Sequence, residues 1–84
     1  MYRVEVADKA RRRIARLPSK HRRQLLGHIT ALGDNPRPPG SVKLEVMEGY
    51  RVASGEYRVL YTVDDAQHLV RVYLVIQRGE GYPG

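Results

Sequence analysis

No cysteine occurs among the 84 residues. That absence excludes disulfide bracing and thiolate metal sites, and makes a reducing cytoplasm the expected compartment. No apolar run approaches the roughly 20 residues that a membrane helix needs. The opening Met1-Tyr2-Arg3-Val4-Glu5-Val6 also lacks the unbroken apolar stretch of a signal peptide. A soluble cytoplasmic protein with no membrane partner is expected. No glycine-rich loop leads from a strand into a helix, and no nucleophile elbow is present. His21, His28 and His68 are scattered over two helical positions and a hairpin tip. Neither a metal site nor a two-histidine nuclease arrangement is expected from them, and each takes an ordinary solvated or capping role. No metal and no cofactor are expected.

Acidic residues are scarce. Nine Asp and Glu stand against fifteen Lys and Arg, a formal charge of +6, and twelve of the fifteen cations are arginine. The arginine fork binds phosphate bidentately and remains charged at any physiological pH, whereas lysine is a hydrated point charge. Such a balance implies an anionic partner, nucleic acid or an acidic protein. At this length the chain supports one core, so residues 1–84 are read as a single domain.

Tyr2 to Val6 alternates apolar and polar residues, the period of a half-buried strand. From Ala7 the period becomes helical: Ala7, Ala10, Ile14 and Leu17 share a stripe, and Lys9, Arg11, Arg12, Arg13 and Arg16 take the remaining face. Pro18 stops this helix, and Ser19 is the expected N-cap of a second one running through Leu25, Ile29 and Leu32. Asp34-Asn35-Pro36-Arg37-Pro38-Pro39-Gly40 is a stiff connector, because three prolines remove donors and fix φ. A short strand at Val42 to Val46 is followed by clearer strands at 50–54, 57–63 and 69–76. Ser54-Gly55-Glu56-Tyr57 places glycine where a type II′ hairpin requires positive φ. The expected fold is α+β, β-α-α-β-β-β with a further short strand, the helical hairpin packed on one face of a small antiparallel sheet.

Pairing Ser54 with Tyr57 sets Val52 opposite Val59 and Tyr50 opposite Tyr61, an apolar face that Val70, Val72, Leu74 and Ile76 extend. By parity the open face carries Arg51, Ala53, Arg58, Leu60, Thr62, Arg71, Tyr73 and Gln77. Arg78 has the parity of the core positions, so it is expected where the last strand frays or bulges and turns its side chain outward. The chemistry such a face offers is phosphate binding by Lys43, Arg51, Arg58 and Arg78, with Tyr82 beside them. Cleaving RNA by its own 2′-hydroxyl needs an aligned backbone, cations on the charged phosphorane and a group to move protons. Free tyrosine titrates near pH 10, so proton transfer is the hardest requirement to meet.

The run Leu32-Gly33-Asp34-Asn35-Pro36-Arg37-Pro38, then Lys43-Leu44, Tyr50-Arg51-Val52, Gly55-Glu56-Tyr57-Arg58-Val59-Leu60-Tyr61-Thr62-Val63-Asp64-Asp65, and finally Gln77-Arg78 with Tyr82, resembles the RelE/ParE toxin superfamily. The resemblance extends over nearly the whole chain and is nearest to RelE-like mRNA interferases. It implies the toxin of a bacterial type II toxin-antitoxin system, a metal-independent endoribonuclease that cleaves mRNA in the 30S A site of the ribosome. It further implies an acidic RelB-like antitoxin and a toxin-antitoxin heterotetramer. Carried over by position, Arg58 and Arg78 stabilise the cleaved phosphate, and Tyr82 acts in proton transfer or base stacking. Lys43, Arg51, Arg71 and Tyr73 become RNA contacts. The cations of the helices, Lys9, Arg12, Arg13, Arg16, Arg22 and Arg23, meet ribosomal RNA or the antitoxin. Ala53 stands at a position the family makes basic, and Gln77 where many relatives have histidine. Two rival readings follow: a ParE-like gyrase inhibitor without catalysis, and an RNA-binding homologue of weak activity.

Overall fold

The computed structural model describes residues 1–81. Its elements are β1 (Arg3–Val6), α1 (Asp8–Ala15), α2 (Ser19–Ala31), β2 (Val42–Lys43), β3 (Tyr50–Ser54), β4 (Tyr57–Asp64) and β5 (Leu69–Gln77). Each helix forms where apolar residues recur on one stripe. Ala10 and Ile14 of α1 and Leu25 and Ile29 of α2 are buried, and the cations between them remain in water. With α1 against β5 and α2 reaching β3, the helices cover one face of the sheet.

Ser19, the expected cap of α2, is instead its first helical residue. Pro18 holds the cap position with φ −53° and ψ 145°, and its carbonyl accepts the first helical bond from the Arg22 amide at 2.9 Å. The proline ring already sets an extended entrance, and no side-chain cap forms.

The strand order is β1-β5-β4-β3-β2. β1 runs parallel to β5 and every other pair is antiparallel, so the sheet is mixed. A parallel pair needs a long crossover connection, and the two helices with the strands that follow supply it. The β3-β4 hairpin has the expected register, Tyr50 opposite Tyr61, Val52 opposite Val59 and Ser54 opposite Tyr57. Gly55 at its turn has φ +59°.

The last strand departs from simple alternation. Leu60 pairs with Leu74 but Tyr61 pairs with Val72, so Tyr73 is the extra residue of a β-bulge. Upstream of it Val70 and Val72 face the helices. Downstream the parity reverses: Val75, opposite Val59, joins the core cluster, whereas Leu74 and Ile76 stand with Leu60 and Arg58 on the other face. Leu74 and Ile76 therefore do not extend the helix-side core, and Gln77 does not share a face with Arg58. The same reversal gives Arg78 the parity of Arg58. The bulge that turns it outward lies several residues upstream, not at the strand end.

The core joins Ile14, Leu17, Leu25, Ile29 and Leu32 to Val59, Tyr61, Val70, Val72 and Val75. The proline connector is fastened to it. The buried Tyr61 hydroxyl donates to the Pro36 carbonyl at 2.7 Å. The Arg37 guanidinium donates to both oxygens of Asp65, at 3.2 and 2.9 Å, and to the Tyr50 hydroxyl at 3.0 Å. Asp65 also accepts from the Tyr2 hydroxyl at 2.6 Å. These bonds fix the chain that delivers β2 to the edge of β3.

Candidate functional site

Arg58 lies on β4 between Ala53 of β3 and Ile76 of β5, so small or apolar neighbours flank it on both sides. Arg51 lies on the same face, opposite Leu60. Arg78 is bound to the β3-β4 hairpin through its amide, which donates to the Glu56 carbonyl at 2.6 Å. Arg51, Arg58 and Arg78 converge on a cleft of about 160 Å³ that Ala53, Gly55, Glu56 and Tyr57 complete. Arg51 also borders a larger groove of about 310 Å³, lined by Lys43 and the residues that follow it up to Met47. Arg51, Arg58 and Arg78 thus form one cationic cluster, and Arg51 also borders the second hollow, whose lining includes Lys43 at the sheet edge.

The ion pairs sort the cations into two groups. Arg3, Arg11, Arg13, Arg37 and Arg71 each have a carboxylate within 4 Å. Among the described residues, Lys43, Arg51, Arg58 and Arg78 have none, and neither do Lys9, Arg12, Arg16, Lys20, Arg22 and Arg23 of the helical region; what sets Arg51, Arg58 and Arg78 apart is that they line one cleft. Arg51, Arg58 and Arg78 stand on one face without internal partners, which favours an external anion, and the arginine fork suits phosphate. Lys43 does not share that face, because it pairs with Tyr50 while Val42 pairs with Arg51.

Other sequence-derived candidates lie elsewhere. Arg71 is exposed beside Glu5 of β1, 3.8 Å away. The Tyr73 hydroxyl donates to the Glu48 carbonyl at 3.1 Å, and burial pushes its pKa up. It fastens the loop before β3 and does not line the cleft. Tyr82 lies outside the described residues. On α1, Lys9, Arg12, Arg13 and Arg16 border a groove of about 200 Å³ along Leu74 and Val75. Arg22 donates to the Leu17 carbonyl at 3.0 Å and so closes the end of α1. Arg23 is exposed on α2. The histidines have packing or bonding roles: His21 meets Tyr57 edge-on, His68 meets Tyr2 in the same way, and His28 Nδ1 is 2.6 Å from the Ser54 hydroxyl.

Two groups escaped the sequence reading. The Arg37-Asp65-Tyr2 cluster joins residues distant in sequence and had no local signal. Glu80, two residues beyond Arg78, accepts bonds from Arg13 Nη2 and from the Gln77 amide, both at 2.6 Å. These two bonds, the arginine's first, hold its carboxyl below the usual carboxylate range. The glycine before it was the available hint, since a glycine at a strand end marks a turn that needs positive φ.

Fold and site together define a small α+β protein with a cleft lined by three arginines where β3, β4 and the end of β5 meet. The chain belongs to the RelE/ParE superfamily of toxins from type II toxin-antitoxin systems: residues 4–82 match the family described as the ParE toxin of type II toxin-antitoxin system, parDE. It is 31% identical over 83 residues to Toxin RelE of Mycobacterium tuberculosis, covering 96% of this chain and 86% of the relative. Among solved structures, it resembles the toxin of the archaeal RelE-RelB complex from Pyrococcus horikoshii, with a TM-score of 0.83, 28% identity and coverage of 95% and 98% of the two chains. The isolated RelE toxin of E. coli is similar too, with a TM-score of 0.79, 26% identity and coverage of 96% and 88%.

Proposed function

We propose that the chain is a RelE-type endoribonuclease that cuts mRNA in the ribosomal A site and is held inactive by an acidic antitoxin. The observation that carries this reading is the convergence of Arg51, Arg58 and Arg78 on one cleft, none of them with a carboxylate partner among the described residues, and with Lys43 on the adjoining groove. The similarity to RelE toxins, some solved with RelB, supports it.

In this reading the RNA backbone lies across the cleft and the adjoining groove, with Lys43 and Arg51 on flanking phosphates and the scissile phosphate between Arg58 and Arg78. The 2′-hydroxyl attacks that phosphorus and a 2′-O–P bond forms. The P–O5′ bond breaks, leaving a 2′,3′-cyclic phosphate and a 5′-hydroxyl. The two guanidiniums neutralise charge that grows on the phosphorane oxygens, an effect worth about 3 to 4 kcal/mol per donor in enzymes of this kind of electrostatic design. Proton transfer, from the 2′-hydroxyl to the leaving oxygen, falls to Tyr82 or to a group of the ribosome. The chain's own nucleophile requirement is nil, because the RNA brings it.

The antitoxin is assigned to the helical cations. Lys9, Arg12 and Arg16 border an elongated groove beside the last strand, and an acidic segment laid there would gain from charge complementarity.

The family match to ParE favours a second reading, a gyrase inhibitor that cuts nothing itself. One experiment separates the two. Purified protein is added to ribosomes programmed with mRNA, and new 5′ ends are mapped; codon-periodic cuts that disappear in Arg58→Ala and Arg78→Ala establish the nuclease. Intact message together with gyrase-dependent DNA breaks refutes it.

A further inference from the structure

Arg78 stands at the end of the sheet, where a chain ordinarily frays. Here it is the second residue of a closed turn. The Glu80 amide donates to the Gln77 carbonyl at 3.0 Å, and Gly79 has φ +95°, the conformation a type II turn requires at its third position. The amide of Arg78 holds one flank of this corner on the β3-β4 hairpin, through Glu56.

The Glu80 side chain holds the other flank. Gln77 pairs with Tyr57, and the flanking Arg78 amide bonds to Glu56, so the Gln77 amide points away from β4. On that side β1 pairs only as far as Val72, and among the described residues no strand covers the edge beyond it. Glu80 Oε1 accepts the Gln77 amide at 2.6 Å and Arg13 Nη2 at 2.6 Å. The turn is therefore closed twice, once through its backbone and once through a carboxylate that α1 grips. A second consequence follows from charge. Glu80 is two residues from Arg78, and a carboxylate turned into the cleft would repel phosphate. Arg13 draws it to the helix side, and Glu80 is absent from the cleft lining, where Glu56 already places one acidic residue against three arginines.

We propose that Glu80 is the positioning residue for Arg78: gripped by Arg13 of α1 and by the Gln77 amide, it locks the Gln77 to Glu80 turn so that Arg78 meets phosphate beside Arg58. The proposal rests on the reading of the cleft as a phosphate site. It also removes Arg13 from the docking cations and gives it a place in the support of the site. An exposed ion pair adds little to fold stability, whereas a small displacement of a catalytic group costs rate heavily. The two effects are separable.

The test uses the full chain with Glu80→Ala, Glu80→Gln and Arg13→Ala. In single-turnover cleavage on programmed ribosomes, Glu80→Ala and Arg13→Ala slow the chemical step about tenfold, with half-saturating ribosome concentration and melting temperature little changed. Glu80→Gln, which retains an acceptor for the Gln77 amide, falls between them and the unmodified chain. Full rate in Glu80→Ala overturns the proposal. A second readout is independent of cleavage. The Arg78 Nε–H resonance of 15N-labelled protein is followed while inorganic phosphate is added; phosphate binds the Glu80→Ala chain several-fold more weakly. Unchanged affinity overturns the proposal whatever the ribosome assay shows. Weakened affinity in a chain that cuts no message upholds the positioning role and refutes only the nuclease reading.

Discussion

Replacing Tyr61 by phenylalanine removes one oxygen atom from the interior and leaves the ring in place. That oxygen donates to the Pro36 carbonyl at 2.7 Å, and Tyr61 is fully buried while Pro36 is buried as well. Burial accordingly pushes the phenol's pKa up. The ring still stacks on Tyr50 at 5.8 Å and still fills the core. The loss is thus one buried hydrogen bond and one carbonyl left without its partner, which costs about 1 to 2 kcal/mol. For a chain of this size each kcal/mol lowers the melting temperature by roughly 4 to 8 °C. Thermal and urea unfolding of Tyr61→Phe should therefore show a melting point lower by about 5 to 15 °C with an unchanged urea slope, since the area exposed on unfolding is the same. A melting point within a degree of the unmodified chain would show that water or a shifted connector satisfies Pro36, and would refute the idea that this bond fastens the connector. A changed urea slope would refute the assumption of an unaltered fold.

Other outcomes follow from the same geometry. Val75→Ala removes two methyl groups from a residue that is 1% exposed and should cost about 2 kcal/mol in urea unfolding; a loss below about 0.5 kcal/mol, typical of a surface site, would contradict the bulge at Tyr73. Arg37 is the first cause, and Tyr2 the second, of an Asp65 pKa lowered from 3.8 to about 2. Because the folded value lies below the unfolded one, the stabilisation is present above about pH 4 and lost as the pH falls toward 2. Stability measured across that interval should decline less steeply in Asp65→Asn, and parallel curves would show that the bonds of Asp65 to Arg37 and Tyr2 do not stabilise the fold. Arg51→Ala should weaken binding of non-cleavable RNA and reduce the slope of log affinity against log salt by about 1; an unaltered slope would take Arg51 out of the RNA contacts.

Much of this was legible along the chain because it rests on local rules. Helical periodicity found Ala10, Ile14, Leu25 and Ile29, and the Gly55 turn gave the hairpin register that sets Arg51 and Arg58 on one face. Charge composition called for an anionic partner. Other features depended on contacts between distant segments. Strict alternation assigned Leu74 and Ile76 to the core and put the expected irregularity at Arg78 itself, because a bulge is a property of two paired strands and leaves no sign in one of them. The parallel pairing of β1 with β5, which makes the sheet mixed, is likewise a matter of which strand lies beside which.

The sequence by itself determined that this chain carries an excess of arginine, a helical hairpin and a tight β-hairpin, since each follows from residue type and spacing. Tertiary structure alone decided which arginines remain free. Arg13, Arg37 and Arg71 meet carboxylates brought from far along the chain, whereas Arg51, Arg58 and Arg78 meet none among the described residues. The physical reason is that a charge acts over distance in space, and only the fold sets those distances.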